Sequence, residues 1–120
     1  MDFDSAQPIW QQLVDDFTRR VIIGEWRPGM KIPSTRELAL EYQVNPNTVQ
    51  RALTELDRLG TTHSERTSGR FVSDEEAFLN ALRDESAQEI IDEVIARLAS
   101  IGVTRADALR LLKERWRTHD

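Results

Sequence analysis

The sequence predicts a mainly α-helical chain with one small β wing (an α+β fold), and three observations carry that prediction. Apolar residues recur at helical spacing through five stretches of the 120 residues. Two of those stretches, each opened by a cap signal, are joined by about three residues, the spacing of a helix-turn-helix. A β-tolerant segment follows at once, turns at Thr67-Ser68-Gly69 and returns as Arg70-Phe71-Val72.

Over 8–23, Ile9, Leu13, Phe17 and Val21 recur every fourth residue, and Trp10, Val14 and Ile22 fill the neighbouring row. Pro8 suits a first helical position and Gly24 a helix end. Glu25 to Gly29 hold a Pro-Gly turn, and Lys31-Ile32-Pro33 is an extended bridge. Ser34-Thr35-Arg36-Glu37 reads as a capping box, in which hydroxyl and carboxylate satisfy each other's backbone N–H. Leu38, Ala39 and Tyr42 extend that helix to about two turns. Gln43-Val44 is a tight turn. Asn45-Pro46 starts the second helix, with Val49, Ala52, Leu53, Leu56 and Leu59 at helical spacing and Gly60 as the stop. Residues 61–73 read as a hairpin, and a hairpin directly after a helix-turn-helix is a wing.

Residues 74–101 carry one long helical pattern, capped by Ser73, with Phe78, Ala81, Leu82, Ile90, Ile91, Val94, Ile95, Leu98 and Ile101 as its stripe. The stripe weakens over 83–89, where a bend or fray is expected. After Gly102, Thr104 and Asp107 open a last helix with Ala108, Leu109, Leu111, Leu112 and Trp116 as its apolar face. The expected organisation is a winged helix-turn-helix over 1–73 and a two-helix tail over 74–120.

Composition removes several function classes. No cysteine is present, so disulfides, thiolate metal sites and cysteine nucleophiles are excluded. The two histidines, His63 and His119, are far apart in sequence, which argues against a metal centre or histidine acid/base chemistry. No cofactor is expected. No apolar run reaches the roughly 18–20 residues of a membrane span, and the acidic opening MDFDSAQP does not read as a signal peptide, so a cytoplasmic protein is expected. Net charge is −5, but it is uneven: residues 1–73 carry 9 Lys+Arg against 10 Asp+Glu, and residues 74–120 carry 7 against 11. Global charge governs solubility and steering, whereas a local face makes contacts.

The chemistry concentrates in 33–72. In a helix-turn-helix the start of the second helix points at base edges in the major groove. Asn45, Pro46, Asn47 and Thr48 occupy that start. Asn47, Thr48 and Arg51 lie three and four apart, opposite the apolar face, with Gln50 beside them. Asn can bond adenine bidentately, and Arg a guanine or a phosphate. The alternative is that these side chains only cap and solvate the helix, a role that Asn45 and Pro46 fully fit. Arg36 places a cation in a helix's first turn, a mildly unfavourable position unless an outside phosphate answers it; otherwise it is an ordinary surface arginine. Arg66, Thr67, Gly69 and Arg70 at the wing suit the minor groove or its phosphates, or else form a charged hairpin edge that resists aggregation. His63 fits a surface or partner-packed role. The tail carboxylates from Asp74 to Glu93 fit a solvated face rather than acid/base work. The tail's apolar face cannot be buried by a helix pair alone; a second copy is the simplest partner. Phe78, Leu82, Ile91, Val94, Ile95, Leu98, Leu109, Leu112 and Trp116 would form that interface.

Taken together, P-S-T-R-E-L-A (33–39), V-N-P-N-T-V (44–49), R-A-L-x-x-L-x-x-x-G (51–60) and G-R-F-V (69–72) resemble the GntR superfamily of bacterial winged-helix transcriptional regulators. P-I-W-Q-Q-L (8–13) and G-E-W-R-P-G also fit, and the short tail resembles the YtrA-type subfamily. The resemblance implies DNA contact by Arg36, by the Asn45–Thr48 helix start, by Gln50 and Arg51, and by the wing around Gly69. It further implies a homodimer on a palindromic double-stranded DNA operator, usually as a repressor, with the tail serving dimerisation. Thr61-Thr62 stand where the family usually places larger apolar residues, so looser wing packing is expected. An enzyme is not expected. A protein-interaction module built on the same winged helix is the other reading, and a small-molecule effector is left open, with no residue set pointing to one.

Overall fold

The structure, a computed structural model, describes residues 1–119. Its elements are α1 (Ile9–Ile22), α2 (Thr35–Tyr42), α3 (Pro46–Leu59), β1 (Thr62–Glu65), β2 (Gly69–Val72), α4 (Glu76–Ser100) and α5 (Arg105–Trp116). They fall into two compact units, Met1–Leu82 and a second from Arg83 onward.

The first unit is built on the apolar faces that periodicity marks. Leu13, Phe17 and Val21 of α1, Leu38 and Ala39 of α2, and Val49, Ala52, Leu53 and Leu56 of α3 are buried together. Trp26 and Ile32 from the segment between α1 and α2, and Val72 of β2, complete the core. Phe17 lies centrally, with the Trp26 and Tyr42 rings each 5.4 Å away, Tyr42 edge-on. Ile9, the first residue of the α1 stripe, remains 43 % exposed.

Gln12 is a buried polar residue inside α1. Its amide accepts from the Asp4 N–H (2.8 Å) and donates to the Asp4 and Gln7 carbonyls (2.6 and 2.7 Å). Every polar atom of that amide is thereby answered by the arm preceding the helix.

β1 and β2 pair antiparallel with Thr62 opposite Val72, His63 opposite Phe71, Ser64 opposite Arg70 and Glu65 opposite Gly69. The extended bridge at Lys31-Ile32 lies along the other edge of β2. Ile32 N–H donates to the Arg70 carbonyl and Val72 N–H to the Met30 carbonyl, each at 2.9 Å. Covering that edge leaves β2 paired on both sides. Thr61 and Thr62, at whose position looser wing packing is expected, are both fully or nearly fully buried, which does not by itself decide how tightly the wing packs.

α4 begins within the first unit, where Leu79 packs on the core and Phe78 lies against Gly60, 3.6 Å from where a Cβ would stand. It continues as helix through 83–89. In the second unit Gly102, at φ +79°, ends the turn after α4, and Thr104 caps α5 by accepting from the Asp107 N–H at 3.2 Å. No residue of α5 is buried.

Candidate nucleic-acid interface

Local chemistry sets the α2–α3 pair. Ser34 Oγ accepts from the Glu37 N–H at 3.1 Å, while the Glu37 carboxylate accepts from the Ser34 N–H at 3.4 Å. Gln43 ends α2 at φ +55°, a left-handed backbone that non-glycine residues adopt infrequently. It reverses the chain tightly enough that Val44 N–H reaches the Ala39 carbonyl. Asn45 Oδ1 accepts from the Asn47 N–H at 2.8 Å and Pro46 takes the first helical position, so both residues perform the capping role.

Asn47, Gln50 and Arg51 are exposed and Thr48 is half-buried. Thr35 Oγ1 donates to Gln50 Oε1 at 2.9 Å, which joins the start of α2 to the exposed side of α3. The Arg51 guanidinium rests 4.3 Å from the centre of the Trp10 ring, a cation–π contact that ties it to α1. Arg36 is exposed in the first turn of α2, and Arg66 and Thr67 are exposed at the wing turn.

An open groove of about 460 Å³ runs between the start of α2 and the wing turn. It carries the side chains of Lys31, Ser34, Thr35, Ser64, Thr67 and Ser68. Gly69 sits at φ +117°, and a Cβ there would come within 2.6 Å of Lys31 Cε. The backbone conformation is what requires glycine here; the flexible lysine stem laid across it could move aside. Lys31 is a cation of this face that the sequence motifs did not single out; its signal, a lone lysine before Ile-Pro-Ser, gains meaning only from the pairing of 31–32 with β2.

Arg70 differs from the other wing cation. Its Nε lies 3.1 Å from Asp57 Oδ1 and its Nη2 3.1 Å from Asp57 Oδ2, a two-pronged pair with the α3 carboxylate. Asp57 also accepts from Thr62 Oγ1 (2.6 Å) and Ser64 Oγ (2.8 Å). Burial works to raise the Asp57 carboxyl, but these hydrogen bonds and the Arg70 charge together hold it below the ordinary carboxylate range. On the opposite flank, burial and donation to Asp16 push the Tyr42 phenol up to about 12. His63 stacks on its cross-strand neighbour Phe71, ring centres 5.9 Å apart, a packing role rather than a ligand's.

Of the residues expected to pair two copies, Phe78 and Leu82 belong to the first unit and are half-buried there. Ile91, Val94, Ile95, Leu109, Leu112 and Trp116 are exposed, and Leu98 is half-buried. Among the described residues no group of three or more His, Cys, Asp or Glu is placed to hold a metal ion, and no helix is long and apolar enough to cross a membrane.

Three helices, a capped second-helix start and an edge-paired hairpin define a winged helix, the DNA-binding domain of a large class of transcriptional regulators. Residues 10–72 match the model of the bacterial regulatory proteins of the gntR family, and the chain belongs to that family. It is 33% identical to the HTH-type transcriptional regulator YhcF of Bacillus subtilis, over 92% of each chain. It is 34% identical to the HTH-type transcriptional repressor YtrA of the same organism, over 77% of this chain and 75% of YtrA. A GntR family transcriptional regulator from Listeria monocytogenes shares the fold with a TM-score of 0.87 at 27% identity, covering 93% of this chain and 98% of that one. The DNA-binding domain of AraR, solved with operator ORR3, aligns with a TM-score of 0.55 at 25% identity over 61% of this chain and 88% of that one. The chain is therefore a winged-helix transcriptional regulator of the YtrA type, and its relatives are regulators rather than enzymes.

Proposed function

We propose that the chain acts in the cytoplasm as a homodimeric repressor that seats two winged helices on a palindromic DNA operator. One observation carries the reading: the Thr35–Gln50 contact and the groove beside it join the α2 start, the α3 start and the wing turn into one surface. On it Asn47, Thr48, Gln50 and Arg51 would face base edges, with Asn45 and Pro46 fixing the helix start. Arg36, Arg66 and Thr67 would hold phosphates, Gly69 would allow close approach, and Arg70 would stand beside it near the wing turn. The repressor named YtrA and the operator-bound AraR domain support the same use of this fold.

Pairing would come from the second unit, through Ile91, Val94, Ile95, Leu98, Leu109, Leu112 and Trp116, with Phe78 and Leu82 at its approach. Such a pair presents recognition helices about 34 Å apart, one turn of DNA.

The test is titration of the full chain against a duplex that it selects from a random-sequence library. Affinity should fall steeply with salt as phosphate contacts release counterions. Arg51→Ala should weaken binding by about 1–3 kcal/mol. Unchanged affinity in that variant removes Arg51 from the contact set, and duplex binding that ignores salt returns the winged helix to a protein-binding role.

A further inference from the structure

We propose that Asp57 and Arg70 form a clasp that sets the wing on the recognition helix before DNA arrives, so that Arg70 serves recognition by placing the wing rather than by touching phosphate. The inference rests on the DNA-binding reading above and assigns two residues a role within it.

Asp57 lies in the last turn of α3, three residues before the Gly60 cap. A carboxylate there faces the negative end of the helix dipole, an unfavourable place for an anion unless something answers it. The answer comes wholly from the wing. Thr62 and Ser64 donate from β1, and Arg70 donates twice from β2. Ser64 and Arg70 are register partners, one step from the Glu65–Gly69 pair that closes the hairpin toward its turn. At the hairpin's other end, backbone bonds already tie it down: Thr61 N–H to the Leu56 carbonyl and Ser73 N–H to the Thr61 carbonyl. Asp57 therefore ties both strands to α3 by side-chain bonds, while on the other edge of β2 the Ile32 N–H to Arg70 carbonyl bond holds the ribbon to the 30–32 bridge.

Arg36 and Arg66 stay exposed, whereas the Arg70 side chain is only 15 % exposed and meets Asp57 in a fork-to-carboxylate geometry. A guanidinium so held would have to break two charged hydrogen bonds to reach a phosphate. Left in place, it fixes the distance from the α3 start to Arg66 and Thr67. That ordering, completed on folding, is not charged against binding.

The experiment uses the full-length chain and the duplex selected by the wild type, with affinity read by anisotropy across a salt series. Arg70→Gln, Asp57→Asn and the double variant should each lose about tenfold, the double no more than either single, with the wild-type salt slope retained. Arg70→Lys keeps the charge but cannot make the two-pronged pair, and it should lose affinity like Arg70→Gln. Hydrogen exchange at the 64–70 amides should quicken in Asp57→Asn without DNA. Four results overturn the clasp: a salt slope reduced by about one phosphate in Arg70→Gln, additive losses, full activity of Arg70→Lys, or unchanged exchange. A wild-type chain that binds no duplex in a salt-dependent way defeats the DNA-binding reading instead, while the exchange result still decides the clasp.

Discussion

The two units of this chain use apolar residues in opposite ways. Met1–Leu82 buries twelve of them around Phe17 and Leu53, whereas from Arg83 onward no residue of the described chain is buried. There Ile90, Ile91, Val94, Ile95, Leu109, Leu112 and Trp116 stand 46–61 % exposed. The residue types are alike, and both sets recur at helical spacing. What separates them is partnership: three crossing helices and a wing close on themselves, while the tail helices leave their stripe uncovered. The proposed pairing of two copies would cover these exposed side chains.

Damage to the first unit should be the more severe. Leu56 is fully buried on α3 at the heart of the core. Leu56→Ala removes its methyl groups and leaves a cavity that rigid neighbours cannot fill, at a cost of about 2–5 kcal/mol. Urea unfolding followed through the buried Trp26 should show the whole of that loss. A loss under about 0.5 kcal/mol, the level of ordinary surface changes, would mean that the first unit is not close-packed.

The second unit should respond differently. Ile91→Asp puts a charge on the exposed stripe of α4 and should leave the urea midpoint of the first unit in place. Light scattering should find the chain at half its wild-type mass. Binding to the selected duplex should weaken on the order of a hundredfold, because one winged helix no longer brings the other with it. A variant that keeps the wild-type mass would remove this stripe from the proposed interface.

The same contrast explains what was legible in the residues alone. Cap signals are local, so Ser34-x-x-Glu37 and Asn45-Pro46 mark their helix starts within a residue. Apolar periodicity finds stripes, and it found both the buried and the exposed ones; it says nothing of what covers them. Contacts between distant segments left no local trace. Arg51 meets Trp10 from another helix, Lys31 joins the hairpin by a single bridge, and Arg70 finds Asp57 thirteen residues back. The arginine motif at the wing could therefore be recognised as cationic but not as already engaged.

The smallest expected effect lies at the junction of α3 and β1, where two adjacent threonines divide the comparison within one unit. Both are buried, but Thr62 Oγ1 donates to Asp57, while Thr61 Oγ1 has no partner among the described residues. A buried hydroxyl without a partner has given up its water for nothing. Thr61→Val exchanges that oxygen for a methyl of similar volume and should raise stability by about 1 kcal/mol in the urea titration. Thr62→Val makes the same exchange one residue on and should lower it, since there the methyl displaces a made hydrogen bond and loosens the grip on Asp57. Equal shifts of one sign at both positions would mean that methyl packing, not hydroxyl satisfaction, governs this corner of the core.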